Sequence, residues 1–139
     1  MFVTGATTGT VNEAIQTQSL VTNETNTETT EELQSLTTKE YVENYFSDAP
    51  IMIQVARCES QFRQFDTEGK VLRGKVNAQD VGVMQINEKY HLDTAQRLGI
   101  DIYTLEGNLA YGRYLYETQG VAPWVYSSKC WNPTQVAFR

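Results

Sequence analysis

The sequence has few of the residues that build metal or redox sites, and no stretch long enough to cross a membrane. Its longest apolar run, over residues 50–56, is interrupted by Gln54, whereas a membrane-spanning helix needs about 18 apolar residues. One histidine, His91, and two cysteines, Cys58 and Cys130, are too few and too far apart for a zinc knuckle or a CxxC redox pair. We therefore expect no integral membrane segment, no metal ion and no cofactor.

Basic residues are also scarce, and none occurs among the first 36 residues. The net charge of −6 lies at the front of the chain: residues 1–49 carry eight acidic residues and one basic residue, whereas residues 50–131 carry nine of each sign. Because no basic stripe can be recognised, we do not expect nucleic acid as a partner. Residues 1–14 lack the basic start and apolar core of a signal peptide, so the sequence leaves the route of export open.

Large apolar side chains are rare over residues 1–36, which are rich in Thr, Asn, Gln, Glu and Ser. A segment of this composition cannot bury enough apolar surface to offset the entropy lost on ordering. We therefore predict a disordered tether over residues 1–36, one folded domain over residues 37–131 and a tail over residues 132–139. A chain of 139 residues has room for one domain with a real core.

Helix signals dominate the predicted domain. Thr37 and Glu40 have the spacing of a capping box, and Pro50 is favoured in the first turn of a second helix. Gly99 and Gly120 are suited to end two later helices. The predicted helices run from Thr37 through Phe46, from Pro50 to about Gln61, over His91–Leu98 and from Thr104, as N-cap, to Gln119, with a short helical turn over residues 123–126.

One small β-hairpin is expected after the second helix. Phe65 and Val71 are β-forming residues on either side of residues 66–69, Asp-Thr-Glu-Gly, which form a turn signal. Val76 extends the predicted hairpin to residues 64–77. The sequence therefore predicts a mainly α fold of the α+β class, with a helical core and one small β-hairpin.

Glu59 is the first candidate for chemistry. It lies near the end of an otherwise apolar helix, beside Cys58 and one turn from Val55. Burial there disfavours the charged carboxylate and raises its pKa, which a general acid working near neutral pH requires. The alternative is a partly exposed helix-end glutamate that pairs with Arg57 or Arg63.

A second candidate cluster spans residues 80–87, Asp-Val-Gly-Val-Met-Gln-Ile-Asn. Gly82 permits a tight turn, and the apolar Met84 and Ile86 alternate with Gln85 and Asn87. A glutamine between two anchored apolar residues has a fixed direction, which suits hydrogen bonding to a sugar amide or hydroxyl. The alternative is that Gln85 satisfies the nearby backbone.

These motifs resemble a known family. Glu-Ser-x-Phe at residues 59–62, then Gly-x-Met-Gln-Ile at residues 82–86, then a tyrosine in an aromatic motif near the end, resemble the lysozyme-like superfamily. The nearest members are the catalytic domains of soluble-type lytic transglycosylases, and the resemblance covers residues 48–131. It implies a lysozyme-like fold and cleavage of peptidoglycan glycan strands between N-acetylmuramic acid and N-acetylglucosamine, without a cofactor, by a monomer.

The resemblance also implies roles for single residues. Glu59 matches the catalytic acid and base, Ser60 the neighbouring hydroxyl that contacts substrate, and Gln85 the glycan-binding glutamine. Asn87, in the same cluster, is a further candidate for substrate binding. Tyr126 matches the family's tyrosine loosely, because the usual Ala-Tyr-Asn is replaced here by Trp-Val-Tyr-Ser at residues 124–127.

The cysteines have two interpretations from composition alone, two buried thiols or one disulfide. Cys-Glu-Ser followed by a late cysteine beside a tryptophan resembles the resuscitation-promoting-factor branch, in which these cysteines are bonded. This implies a Cys58–Cys130 disulfide and an extracellular, periplasmic or cell-wall location.

The role of Asp80 distinguishes two possible mechanisms. Residues 80–87 also resemble the Asp-Tyr-Gly-Ile-Leu-Gln-Ile-Asn of animal lysozymes, in which that aspartate is the second carboxylate of a hydrolase. Asp80 is then catalytic, as in a muramidase of bacterial or phage origin; alternatively it caps the turn before Gly82. A non-catalytic glycan-binding module for cell-wall assembly is the third possibility, and the intact Glu-Ser pair argues against it.

Deletion of residues 1–36 is expected to leave the melting temperature and the cleavage of soluble glycan fragments unchanged, because the segment lacks core-forming residues. Circular-dichroism melting and product chromatography of the shortened chain test this. A large fall in the melting temperature would contradict the predicted tether.

Overall fold

A computed structural model describes residues 36–132 of the chain. Apart from Leu36 and Asn132, the predicted tether and tail lie outside the described residues. The helices are α1 (Thr38–Tyr45), α2 (Pro50–Ser60), α3 (Glu88–Arg97), α4 (Leu105–Gln119) and α5 (Ser128–Trp131), with a 3₁₀ helix at Ala122–Ser127 and strands β1 (Asp80–Val81) and β2 (Ile86–Asn87). The predicted class, mainly helical with a small antiparallel sheet, is confirmed.

The helix starts follow local chemistry, as predicted. The Thr37 hydroxyl accepts a hydrogen bond from the Glu40 amide at 3.2 Å, and the Glu40 carboxylate accepts one from the Thr37 amide at 2.9 Å. Pro50 opens α2, and the Thr104 hydroxyl caps α4 by accepting a bond from the Gly107 amide. The capping box, the proline start and the N-cap of α4 are all confirmed.

The start of the third helix differs from the prediction. α3 begins at Glu88 rather than at His91, because the Asn87 side chain caps it by accepting a hydrogen bond from the Tyr90 amide at 3.2 Å. Its end agrees with the prediction, since Gly99 follows with φ +71°. Asn87 is therefore an N-cap, a role that its place in the second motif did not suggest.

The small hairpin lies later in the chain than predicted. Residues 64–77 form a turn closed by a single bridge between Phe65 and Val71, with Gly69 at φ +80°. The two-stranded antiparallel sheet instead pairs β1 with β2, placing Asp80 opposite Asn87. The predicted hairpin is therefore reduced to this bridge, because after Val71 the chain leaves Phe65 and Arg73 pairs instead with Val81 on β1.

The core is made by apolar side chains from all five α-helices, from the 3₁₀ helix, which adds Trp124, and from β1, β2 and the turn between them. Its members include Val42, Phe46, Met52, Val55, Ala56, Val81, Val83, Met84, Ile86, Ala95, Ile102, Leu109, Tyr111, Leu115, Trp124 and Trp131. Gly112 lets α4 approach this turn, because a Cβ there would lie 3.0 Å from Met84 Cγ. The second motif is therefore packed directly onto α4.

A disulfide joins Cys58 on α2 to Cys130 on α5, with the two Cα atoms 5.9 Å apart. The predicted bond is confirmed. Because Cys58 precedes Glu59, the bond connects the helix that carries the candidate acid with the C-terminal end of the described domain. Among residues 36–132, none of the helices has the length and apolar character that crossing a bilayer requires.

Candidate active site

A cleft of about 960 Å³ contains all six of the residues predicted to act on substrate. This volume is at the upper end of the range for small-molecule sites, which suits a ligand of several sugar rings. The cleft is bordered by the end of α2, residues 72–77, the β1–β2 hairpin and the 3₁₀ helix. The six residues that line it are Glu59, Ser60, Asp80, Gln85, Asn87 and Tyr126.

Glu59 lies in the last turn of α2 and is half-buried. Its carboxyl Oε1 accepts a hydrogen bond from the Ser127 hydroxyl at 2.5 Å. Burial raises the pKa of Glu59 above its ordinary value, the hydrogen bond from Ser127 lowers it, and the negative charge of Asp80 adds to the rise. The net shift is upward, in the direction that a general acid needs.

The alternative interpretation of Glu59, an ion pair with a neighbouring arginine, is not what the geometry gives. The Arg57 guanidinium donates to the Gln54 side chain at 3.0 Å, and Arg63 Nε donates to the Ser60 carbonyl at 3.1 Å. Within residues 36–132, no ion pair involves Glu59. No cation therefore neutralises the Glu59 carboxylate, and no neighbouring positive charge offsets the rise in its pKa that burial causes.

Ser60 has a defined role within the fold. It is 3% exposed, and its hydroxyl donates to the Ala56 carbonyl at 3.0 Å and accepts from the Arg63 amide at 3.2 Å. These bonds hold the left-handed backbone of Gln61 and Phe62, at φ 55° and 60°, which turns the chain sharply out of α2. Contact of Ser60 with substrate stays a prediction.

The turn between β1 and β2 has a backbone that few residues adopt. Gly82 has φ +75°, and a Cβ there would lie 2.7 Å from Gln64 Oε1, so only glycine fits. Gln85 also has a positive φ, 51°, and its side-chain amide donates to the Gly82 carbonyl at 2.9 Å. Gln85 therefore satisfies nearby backbone while lining the cleft with a fixed orientation.

Two buried amides outside the motifs hold this turn in place. Gln64 Oε1 accepts a hydrogen bond from the Val83 amide at 2.9 Å, and Asn108 Oδ1 accepts one from the Met84 amide at 2.7 Å. The Trp124 indole donates to the Met84 carbonyl at 2.9 Å. Three backbone groups of the turn, the Val83 amide and both the amide and carbonyl of Met84, are thus bonded to buried side chains from outside it, which fixes the cleft wall.

Asp80 and Asn87 interact with each other across the strand pair. The Asn87 amide donates to Asp80 Oδ1 at 2.9 Å, while its own oxygen caps α3. The carboxylate of Asp80 thus bonds to a side chain instead of to backbone of the turn before Gly82, and the predicted turn cap is wrong. The Asp80 carboxylate nevertheless lines the same cleft as Glu59.

Aromatic and neutral groups complete the cleft. The Tyr126 side chain is fully exposed at its edge, and Tyr90 is 72% exposed on another side. His91 also lines it, with Nδ1 3.0 Å from the Tyr111 hydroxyl, and burial lowers the pKa of His91 so that the imidazole is neutral at pH 7. Over the described residues, no group of three or more His, Cys, Asp or Glu side chains is placed to hold a metal ion.

Sequence reasoning missed Ser127, the hydroxyl that contacts Glu59. It lies 68 residues along the chain from Glu59, and only its place beside Tyr126 in the aromatic motif pointed to this segment. The roles of the predicted residues and the resemblance to the lysozyme-like family stay predictions from the motifs. Comparison of the chain with protein-family models, curated proteins and solved structures found no match.

Proposed function

We propose that the chain is a lytic transglycosylase that cleaves peptidoglycan between N-acetylmuramic acid and N-acetylglucosamine, with Glu59 as general acid and then general base. The observation that carries the proposal is the state of Glu59. It is a half-buried carboxyl with a raised pKa and no cation partner, in a cleft of about 960 Å³ that also contains Gln85 and Tyr126. A disulfide is typical of oxidising compartments, which supports an extracellular, periplasmic or cell-wall location.

In the first step, protonated Glu59 gives its proton to the glycosidic oxygen, and the bond from that oxygen to C1 of N-acetylmuramic acid breaks. The acetamido carbonyl oxygen of the same sugar attacks C1 and takes up the developing positive charge. The N-acetylglucosamine part leaves with the proton. Gln85, oriented by its bond to the Gly82 carbonyl, is suited to hold the strand in register during this step.

In the second step, the Glu59 carboxylate removes the proton of the muramyl 6-hydroxyl. The hydroxyl oxygen then displaces the acetamido oxygen at C1, which gives a 1,6-anhydro sugar and returns Glu59 to its protonated form. No water is consumed. Because Glu59 acts first as an acid and then as a base, its carboxyl must work in both protonation states and keep one orientation throughout.

Mass spectrometry of soluble products from purified peptidoglycan tests this mechanism. Anhydro and reducing ends differ by one water, so the two product classes separate by mass. We expect predominantly anhydro ends from the unmodified chain. Reducing ends would assign the protein to the hydrolases instead.

A lysozyme-type hydrolase is the second candidate, and one observation favours it. Asp80 lines the cleft, and its charge contributes to the raised pKa of Glu59. In that mechanism Asp80 stabilises the oxocarbenium-like transition state or acts as nucleophile, and water completes the reaction.

Asp80→Asn separates the two candidates. Asparagine can still accept the hydrogen bond from Asn87, so the change removes charge and keeps the contact. If Asp80 is not catalytic, we expect a rate loss of less than about tenfold. Loss of the charge also lowers the pKa of Glu59, so the alkaline limb of the pH–rate profile moves to lower pH.

Initial rates against pH on solubilised peptidoglycan measure both effects, with Asp93→Asn on the exposed side of α3 as the matched control. A loss on the order of 10³-fold or more at every pH would assign Asp80 a catalytic role. An alkaline limb that does not move would show that the two carboxyls are uncoupled.

A further inference from the structure

One serine hydroxyl beside Glu59 takes part in three hydrogen-bond contacts. Ser127 Oγ lies 2.5 Å from Glu59 Oε1 and 3.1 Å from the Trp124 carbonyl oxygen. The Trp131 indole N–H donates to the same Oγ at 3.0 Å and to the Trp124 carbonyl at 3.1 Å. The hydroxyl therefore has two acceptors within reach of its single proton and one fixed donor.

This arrangement suits either protonation state of the carboxyl. When Glu59 is ionised, Ser127 donates to it. When Glu59 is protonated, the acid O–H donates to Ser127 Oγ, and the serine turns its own proton to the Trp124 carbonyl. A hydroxyl has one donor and two acceptor positions, so the bond from Trp131 is kept in both arrangements and no polar group in the set loses its partner.

We propose that Ser127 is a positioning residue for the cleavage reaction, which holds the Glu59 carboxyl in one orientation as acid and as base by reversing the direction of their hydrogen bond. The reaction part of this inference rests on the proposed function. A group that first gives and then takes a proton needs a partner that can both accept and donate. A backbone amide or a carbonyl would serve only one of the two states.

The other charged groups near the carboxyl come from several elements. Asp80 on β1 acts through its charge and raises the pKa of Glu59, opposite to the effect of Ser127. The remaining titratable side chains that line the cleft are Arg63, Arg73, Lys75, Tyr90, His91 and Tyr126. Among residues 36–132, Ser127 is the one that hydrogen-bonds to the Glu59 carboxyl.

The two tryptophans allow a test in the unmodified chain. The Trp131 indole N–H donates to Ser127, whereas the Trp124 indole N–H donates to the Met84 carbonyl. In a pH titration followed by ¹H–¹⁵N NMR, we expect the Trp131 indole signal to move with the same midpoint as the Glu59 carboxyl ¹³C signal. The Trp124 indole signal is the internal control and should move much less. A Trp131 indole signal that does not shift with the midpoint of the Glu59 carboxyl would overturn the proposal.

Ser127→Ala tests the role in cleavage, with Ser128→Ala as the matched control on the neighbouring hydroxyl. Without Ser127 the carboxylate loses a hydrogen bond that stabilises it, so the pKa of Glu59 rises further and the alkaline limb of the rate profile moves to higher pH. We expect kcat to fall about tenfold through misplacement of the carboxyl, with KM nearly unchanged. Ser127→Thr keeps the hydroxyl and should restore both the parent position of the alkaline limb and the parent kcat.

The outcomes separate this inference from the proposed function. A parent chain that does not cleave peptidoglycan would overturn the proposed function and, with it, the role of Ser127 in cleavage. A parent that cleaves, with Ser127→Ala changing neither the Glu59 midpoint nor kcat, would overturn the role of Ser127 alone. If the alanine variant does not fold, the indole titration of the unmodified chain decides.

Discussion

Glu59→Gln is expected to lose cleavage of peptidoglycan by on the order of 10³-fold, because an amide cannot give the glycosidic oxygen a proton. The fold should survive, since the glutamine oxygen can still accept the hydrogen bond from Ser127. Product formation is measured by mass spectrometry and stability by thermal melting. Glu43→Gln, at a half-buried position on α1 outside the lining of the cleft, is the matched control.

The direction in which Glu59→Gln changes the stability of the fold can also be predicted. The folded-state pKa of Glu59 is raised, so the folded protein binds the proton more tightly than the unfolded chain does. The stability that this supplies is present in full below the unfolded-state pKa and is lost as the pH rises through the folded-state pKa. At pH 7 Glu59→Gln should therefore melt at the same temperature as the parent or at a higher one.

Binding separates an enzyme from a glycan-binding module. Glu59→Gln should still sediment with insoluble peptidoglycan, because Gln85, Tyr126 and the cleft walls are unchanged. A variant that keeps near-full cleavage would remove Glu59 from the mechanism. A parent chain that binds peptidoglycan but yields no soluble products would instead favour the non-catalytic module.

Removal of the disulfide is expected to have the largest effect on stability. Cys58 and Cys130 are 72 residues apart, and closing a loop of that length stabilises a fold by about 4 kcal/mol in the chain-entropy model. For a domain of this size, a loss of that order corresponds to a fall of roughly 20 °C in melting temperature. Thermal melting of the Cys58→Ser, Cys130→Ser double variant measures it.

The parent treated with a thiol reductant is the control, since it should melt near the double variant. Counting thiols in denaturant on protein purified under oxidising conditions is an independent check. Two free thiols there would refute the bond in solution. A melting temperature unchanged by reduction would mean that packing alone holds α5 against α2.

Elements with a local cause could be predicted from the sequence. The capping box of Thr37 and Glu40, the proline start of α2, and the glycines after α3 and α4 each need only neighbouring residues, and all were confirmed. The motifs also placed six candidate residues in one cleft. The bond between Cys58 and Cys130 followed from the resemblance and not from spacing.

Features that depend on distant contacts could not be predicted. β1 and β2 have two residues each, too few for a recognisable alternation, and they pair because the turn between them is held from outside. The Asn87 cap of α3 is by contrast a local contact, with the Tyr90 amide, and asparagine is a favoured N-cap residue; it was missed because the second motif assigned Asn87 to substrate binding. Ser127 is one of two adjacent serines near the end of the chain, and only the folded structure brings it to Glu59.

The second motif depends on Gln64 and Asn108, so it cannot be transferred to another protein by itself. Residues 82–86 keep their shape through amides supplied by the loop after α2 and by α4, together with the Trp124 indole. Grafting this pentapeptide into an unrelated helical scaffold would leave its backbone groups without partners, at a cost of about 1–3 kcal/mol for each buried group. A designer who wants this cleft wall must transplant the amides of Gln64 and Asn108 along with the motif that they hold.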